Sequence, residues 1–286
     1  MPQHPLAEVF GFPTTNVSQD GSRHRTHRLC PFHNRVPNCT KTSAENPLGV
    51  CSVFDSSGRA VITCPVRFRE NWQIITDAAT FFFPPGTLWT TITEVALKDR
   101  DGKSAGNIDA ILLAYDTVGR IIDYGALEIQ AVYISGNVGV PFAHYMEAPE
   151  ERGSFDWRGQ RNYPRPDFLS SSRKRLAPQL IFKGGILHTW KRKMAVALDT
   201  TFFETLPSLE EVPPHEAELA WFVYALQHDP QEDCFRLTHQ RTVYTLFETA
   251  LLRITRSEAG DESLFLTQLQ RELQRKLNET ISENPL

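Results

Sequence analysis

Four of the chain's five cysteines fall within 35 residues, and this cluster places the strongest constraint on the fold. Cys30, Cys39, Cys51 and Cys64 follow the spacing Cys-x8-Cys-x11-Cys-x12-Cys, among Pro, Asn, Gly and Ser. Such a segment has few apolar residues to bury, so we expect it to need a crosslink or a bound ion for its order. The paired Cys-x-x-Cys knuckles of common zinc ribbons are missing from it.

In a reducing compartment these thiols favour a metal ion over disulfides. Four thiolates suit a tetrahedral Zn²⁺ or a single iron ion. Such a site is structural, because four protein ligands leave no open position for a substrate. His33 lies inside the cluster and could replace one thiol. The alternative is four reduced cysteines that are neighbours by chance, and Cys234 is most simply a small buried hydrophobe.

The length of 286 residues allows one sizeable core, or one core with a small appended module. Hydrophobic residues make up 41% and charged residues 22%, which is typical of soluble globular proteins. The first ten residues lack the basic and apolar pattern of a secretory signal, and no apolar run is long enough for a membrane span. We therefore expect a cytoplasmic protein with a metal-binding segment over 1–68 and a second domain over 69–286.

Hydrophobic periodicity predicts a mixed α+β fold, with strands between helical segments. The predicted elements are a helix over 69–83, strands over 89–97, 108–115, 121–134 and 193–198, a helix over 170–182 that Pro178 would interrupt or kink, and a helix over 261–278. Segments 217–226 and 241–254 are apolar and fit either a helix or a strand. The last helix carries a stripe of Leu269, Leu273 and Leu277, which predicts core packing or a dimer contact.

Acidic and amide side chains interrupt the apolar central strands. Period two places Glu128 and Gln130 on the same strand face, and Asp109 stands at the head of the preceding strand. A carboxylate inside an apolar strand is costly unless it is paired or binds a cation. Asp109 and Glu128, with Glu94 on the strand before, therefore suggest a Mg²⁺ site for phosphodiester hydrolysis. The alternative is ordinary edge polarity or ion pairing.

Charge is distributed unevenly along the second half of the chain. Residues 152–193 contain eleven Lys and Arg against two acids, a net charge of +9, whereas residues 194–235 carry nine acids and no Lys or Arg. A basic segment of this kind can neutralise nucleic-acid phosphates, or it is one solvated face of an ordinary surface. The predicted DNA-binding residues are Arg23, Arg25, Arg28, Arg152, Arg158, Arg161, Arg165, Arg173, Lys174, Arg175, Lys191, Arg192 and Lys193.

The order of these features resembles the NotI-type type II restriction endonucleases, which belong to the PD-(D/E)xK nuclease superfamily. The resemblance covers roughly residues 25–200 and is most specific where four cysteines precede Glu94, Asp109 and Glu128-x-Gln130. Gln130 stands where the superfamily usually has Lys, and Ile108 stands where it has Pro. A neutral amide can orient water by hydrogen bonds but cannot serve as a cation or general base.

The resemblance implies a restriction-endonuclease-like core, in which helices flank a central mixed sheet. It implies catalytic roles for Glu94, Asp109, Glu128 and Gln130, and a structural iron or zinc on Cys30, Cys39, Cys51 and Cys64. It also implies Mg²⁺-dependent cleavage of double-stranded DNA by a homodimer. Two other functions remain open at this stage: a non-catalytic DNA-binding protein with a structural zinc site, and a nuclease of broad specificity in defence or repair.

Overall fold

The computed structural model of this protein describes residues 1–33, 37–43, 45–257 and 259–283. Its backbone contacts divide the chain into two compact units, residues 1–254 and residues 255–286. The predicted division at residue 68 stays a prediction. No helix within the described ranges is both long enough and apolar enough to cross a membrane.

Two sheets organise the first unit. The N-terminal sheet is antiparallel in the order β2-β1-β3-β4, and its strands are β1 (Leu6–Val9), β2 (Phe12–Pro13), β3 (Val50–Phe54) and β4 (Ala60–Ile62). The later strands are β5 (Trp89–Lys98), β6 (Ser104–Tyr115), β7 (Ile121–Gln130), β8 (Tyr133–Ser135), β9 (Arg165–Asp167), β10 (Met194–Asp199), β11 (Leu219–Asp229) and β12 (Cys234–Thr245).

The central sheet has six strands in the order β12-β11-β10-β7-β6-β5. β10 is parallel to both of its neighbours, and the other pairs are antiparallel. This mixed sheet with flanking helices confirms the predicted fold class. The segment 217–226 is part of β11, whereas 241–254 divides into the end of β12 and a helix. The predicted strand over 121–134 ends at Gln130, and β8 pairs separately with β9.

Helices within residues 1–254 pack on both faces of the central sheet. The helices of the described residues are α1 (Gln19–His27), the 3₁₀ helix Pro65–Trp72, α2 (Gln73–Phe82), α3 (Gly139–Glu147), α4 (Pro149–Arg152), a helical run over 168–189, α5 (Thr200–Phe203), α6 (Phe247–Thr255) and α7 (Glu262–Glu283). Alternate residues of each strand enter two different hydrophobic clusters, as period two requires. On β7, Leu127 joins the cluster of α2, and Ala126 joins the cluster that contains Leu180 of the helical run.

The helical run alternates between α and π geometry. Its segments are Phe168–Ser171 (α), Ser172–Leu176 (π), Ala177–Gln179 (α), Leu180–Gly184 (π) and Gly185–Thr189 (α). Of the two predicted effects of Pro178, an interruption or a kink, the interruption does not occur, because the chain stays helical through it. Pro178 provides no N–H for an α hydrogen bond, and the wider π turns beside it accommodate that loss.

The N-terminal region has more regular structure than its composition suggests. β3 and β4 bury Val50, Val53, Val61 and Ile62, so the expectation that the cysteine segment has little to bury was wrong. A buried ion network connects this region to the central sheet. The Arg67 guanidinium lies 3.0 Å from Glu8 and 2.6 Å from Glu70, and Glu70 also accepts the N–H of Leu237 at 2.7 Å.

Candidate active site and thiol cluster

Asp109 and Glu128 meet on one face of the central sheet. Ala110 of β6 pairs with Leu127 of β7, and this register places Asp109 opposite Glu128. The backbone N–H of Ile129 donates to Asp109 Oδ2 at 2.7 Å, which fixes the Asp109 carboxylate against β7. The two carboxyl groups are close enough for a proton on Glu128 to be hydrogen-bonded to Asp109. The sequence prediction that these acids share a site is therefore supported by their geometry.

Glu128 is almost completely buried, and its environment opposes ionisation. Burial, followed by the negative charge of Asp109, raises the pKa of Glu128 from 4.5 to about 8. The positive charge of Lys183 acts in the opposite direction but does not cancel these two effects. At neutral pH the carboxyl group therefore holds a proton unless a cation takes its place.

Lys183 contacts Glu128 and is not part of the strand motif that identified the acidic residues. Its Nζ lies 2.7 Å from Glu128 Oε2 and also donates to the Asn107 carbonyl at 2.5 Å. The side chain comes from the second π segment of the helical run and is 8% exposed. Gly106 makes room for it: its φ of +103° suits glycine, and an added Cβ would come within 3.2 Å of the lysine Cε. The Lys183 ammonium therefore provides a positive charge at this site, although Gln130 stands where the superfamily motif has lysine.

Gln130 lies two residues along the same face of β7 and is buried. Its Nε2 donates to the carbonyl of Ala131 at 2.9 Å. Among the described residues, neither Gln130 Oε1 nor Glu128 Oε1 has a hydrogen-bond partner, although both atoms are buried. Two buried oxygens that lack donors, one from a carboxyl group and one from an amide, lie beside the Asp109 carboxylate and fit the oxygen ligands that Mg²⁺ prefers.

Glu94 is near this site in the strand register, but its side chain turns elsewhere. It falls between Thr93, which pairs with Ala110, and Val95, which pairs with Ile108, so its backbone is opposite Asp109. Its carboxylate is 58% exposed and lies 3.8 Å from Arg69. The geometry thus joins Asp109, Glu128, Gln130 and Lys183, whereas Glu94 lines an adjacent groove.

The four N-terminal thiols form an electrostatically connected cluster. All four are reduced; three are buried and Cys30 is half-buried. Burial is the main effect that raises the pKa of Cys30 to about 11; backbone hydrogen bonds act to lower this pKa, and the neighbouring thiols act to raise it. Burial also raises the pKa of Cys39 and Cys51. Negative charge on Cys64 would raise the pKa of all three, which places Cys64 next to each of them.

The donor chemistry of this cluster fits a soft metal ion, but its present arrangement is not a closed site. Backbone N–H groups of Phe32 and His33 stabilise the Cys30 sulfur, and that of Lys41 stabilises the Cys39 sulfur. Such hydrogen bonds favour thiolates, which are the metal-binding form. However, no group of three or more His, Cys, Asp or Glu side chains in the described ranges is placed to hold a metal ion.

Most of the predicted DNA-binding residues are exposed, and several contact other parts of the protein. Exposed members are Arg23, Arg28, Arg158, Arg161, Arg165, Arg173, Lys174, Arg175 and Lys191, whereas Arg152, Arg192 and Lys193 are half-buried. Arg158 forms an ion pair with Asp156, and Arg192 forms one with Asp123. Arg25 is 3% exposed and donates to the Asn16 carbonyl at 2.6 Å, so the prediction that it contacts DNA does not agree with its burial.

Comparison with known families adds an independent finding. The family model described as restriction endonuclease NotI matches residues 14–237, which is most of the chain. The match includes the acidic pair, the helical run and the thiol cluster. A search of curated proteins found no significant match.

The raised pKa of Glu128 predicts how the stability of the metal-free protein changes with pH. The folded protein holds this proton up to about pH 8, whereas an ordinary glutamate loses it near 4.5. The proton on Glu128 therefore makes its full contribution to the free energy of unfolding below pH 4.5. This contribution is lost as pH rises to 8, with a slope of at most about 1.4 kcal/mol per pH unit. Urea unfolding in EDTA at pH 5, 6, 7 and 8 measures it. Glu128→Gln, a neutral isostere, should flatten this decline.

Glu151→Gln, an exposed substitution on α4, is the matched control and should keep the parental pH dependence. Parallel stability curves for the parent and Glu128→Gln would contradict the assignment of the proton to Glu128.

Proposed function

This chain belongs to the NotI family of restriction endonucleases and is a type II site-specific deoxyribonuclease, and we propose that Asp109 and Glu128 hold the Mg²⁺ on which its cleavage of double-stranded DNA depends. The observation that carries this proposal is the buried Glu128 carboxyl group next to Asp109, with Glu128 Oε1 and Gln130 Oε1 both lacking a partner among the described residues. When bound, Mg²⁺ supplies charge stabilisation at the scissile phosphodiester and makes a bound water more acidic.

Each side chain of the site has a distinct task. Asp109 offers a carboxylate that the Ile129 N–H holds in a fixed orientation. Lys183 orients the Glu128 carboxylate through one oxygen and leaves Oε1 for the cation. Gln130 supplies a neutral oxygen that can accept a hydrogen bond from water. The positive charge of Lys183 also offsets charge that develops on the phosphate in the transition state.

The exposed basic residues support the binding of DNA. Arg173, Lys174 and Arg175 lie together on the helical run that also carries Lys183. They can neutralise phosphates while the same run positions Lys183, which gives affinity but no sequence information. We assign base recognition to the loop that contains Arg161 and to Arg165 at the start of β9, because both side chains are exposed.

We propose that the thiol cluster binds one structural iron or zinc ion. Four neighbouring thiols with backbone N–H donors at two of the sulfurs support it. The cysteines would bind the ion as thiolates, so metal binding would release their protons. We also propose a homodimer, since cleavage of both strands of a symmetric site needs two related centres.

Activity tests the proposed acidic site directly. Asp109→Asn and Glu128→Gln should abolish plasmid cleavage in Mg²⁺, because each removes a carboxylate from the cation site. Both variants should still bind a cognate duplex in Ca²⁺. Discrete fragments from several plasmids would indicate a sequence-specific enzyme, a smear a nuclease of broad specificity, and intact DNA a protein that binds without cutting. Asp101→Asn, on an exposed turn, is the control and should cut at the parental rate.

Lys183→Met tests the residue that the strand motif does not contain. Methionine preserves much of the buried volume but removes the cation beside Glu128, so cleavage should fall by about 100-fold or more. The affinity for Mn²⁺, measured by calorimetry at pH 8.5, should stay the same or increase, because a competing charge is gone. Lys103→Met, at an exposed position outside the predicted DNA-binding residues, should retain cleavage within a few-fold. Parental turnover in Lys183→Met would show that this lysine has a structural role instead.

Cys39→Ser tests the structural ion. The purified parent should contain about one iron or zinc ion per chain by elemental analysis, because four thiolates complete one tetrahedral site. The variant should lose that ion and melt at a lower temperature. Cys234→Ser is the matched control, since this thiol is outside the cluster. Unchanged metal content and melting temperature in Cys39→Ser would refute a metal site on these cysteines.

A further inference from the structure

A groove of about 610 Å³ with polar and apolar walls lies against the edge strand β5 of the central sheet. Its walls come from the cysteine-containing segment, from the 3₁₀ helix Pro65–Trp72 and from the edge strand β5. Residues that line it include His33, Thr40, Arg69, Trp72, Thr91 and Glu94. The acidic pair does not line this groove, but Glu94 is opposite Asp109 in the strand register. The backbone of Glu94 is therefore about one strand spacing, roughly 5 Å, from the backbone of Asp109.

The backbone around this groove is strained in three places. Asn71, Trp72 and Glu94 have φ values of 51°, 53° and 58°, which is the left-handed region. Positive φ is unfavourable for residues other than glycine, and most unfavourable for a bulky side chain such as tryptophan. Strain of this kind costs on the order of 1–3 kcal/mol per residue and is concentrated at functional sites. Asn71 and Trp72 precede α2, and Glu94 lies within β5, so strained backbone is present in both walls of the groove.

The side chains of the groove combine a cation with an aromatic surface. The Arg69 guanidinium lies 5.7 Å from the Trp72 ring centroid and 3.8 Å from Glu94, a separation at which the ion pair is weak. Within the described residues, Arg69 Nε and Thr91 Oγ1 are buried and have no hydrogen-bond partner. A buried unpaired donor costs about 1–3 kcal/mol, so the groove would be stabilised by a ligand that supplies an acceptor.

We propose that this groove binds one nucleotide of the DNA strand that is cut. The nucleotide's phosphate pairs with Arg69 once the guanidinium turns from Glu94 toward it, and its sugar and base pack against Trp72. The volume lies within the range of small-molecule sites and accommodates a single nucleotide. Val66 and Ile75 provide the apolar part of the wall. The proposal rests on the proposed nuclease function and adds a substrate subsite to it.

A direct binding measurement tests the subsite without any cleavage. The probes are the four deoxynucleoside 3′,5′-bisphosphates, titrated by calorimetry into the full-length protein in EDTA. At least one should bind the parent, and Arg69→Gln and Trp72→Leu should each weaken that binding by about tenfold or more. Arg100→Gln and Trp190→Leu, exposed substitutions outside the groove, are the controls and should bind as the parent does.

Near-ultraviolet circular dichroism identifies any variant that misfolds, and Arg69→Lys and Trp72→Phe are the milder replacements for that case. Arg69→Lys should retain part of the affinity through its charge, and Trp72→Phe should retain part through its ring. Absence of binding by the parent, or equal binding by parent and both groove variants, would overturn the subsite. Mg²⁺-dependent plasmid cleavage by the parent is measured separately, so failure of the subsite and failure of the nuclease assignment give different results.

Discussion

The contact among Glu128, Asp109 and Lys183 is the interaction on which the candidate active site depends. A surface ion pair such as Arg158 with Asp156 is screened by solvent and contributes little, whereas loss of one partner from a buried pair costs about 3–5 kcal/mol. Glu128 and Lys183 are 1% and 8% exposed, so they belong to the second class. The central sheet and the helical run must therefore keep a fixed separation at this contact.

A second buried network positions the groove. Cys64 immediately precedes the 3₁₀ helix Pro65–Trp72, which carries Arg67 and Arg69 on neighbouring turns. Arg67 is held by Glu8 of β1 and by Glu70, and it also donates to the Phe235 carbonyl of β12 at 2.8 Å. The thiol cluster and the central sheet thus constrain the same short helix from two sides. An ion on the cysteines would stiffen the support of the groove without any chemical role.

Local sequence patterns predicted the part of the site that lies on adjacent strands. Period-two alternation identified the common face of Glu128 and Gln130, and the turn at residues 116–119 brings β6 back along β7, so Asp109 could be placed with them. Lys183 could not be placed in this way, because it is 55 residues beyond Glu128 and its helix contains a proline. The burial of Arg25 was equally hidden, since it depends on a contact with the Asn16 backbone and not on a periodic pattern.

Charge balance explains how the site can use Gln130 where related nucleases place lysine. With Asp109 and Glu128 ionised and Lys183 protonated, the three side chains carry one net negative charge. A divalent cation makes this sum +1, which matches the single negative charge of a phosphodiester. A second lysine at position 130 would raise the sum to +2 and compete with the cation for Glu128. The position of the helical run then determines the charge balance of the site, because the run carries Lys183. Movement of its π segments would therefore alter the contact between Lys183 and Glu128 before it altered the pairing of the strands.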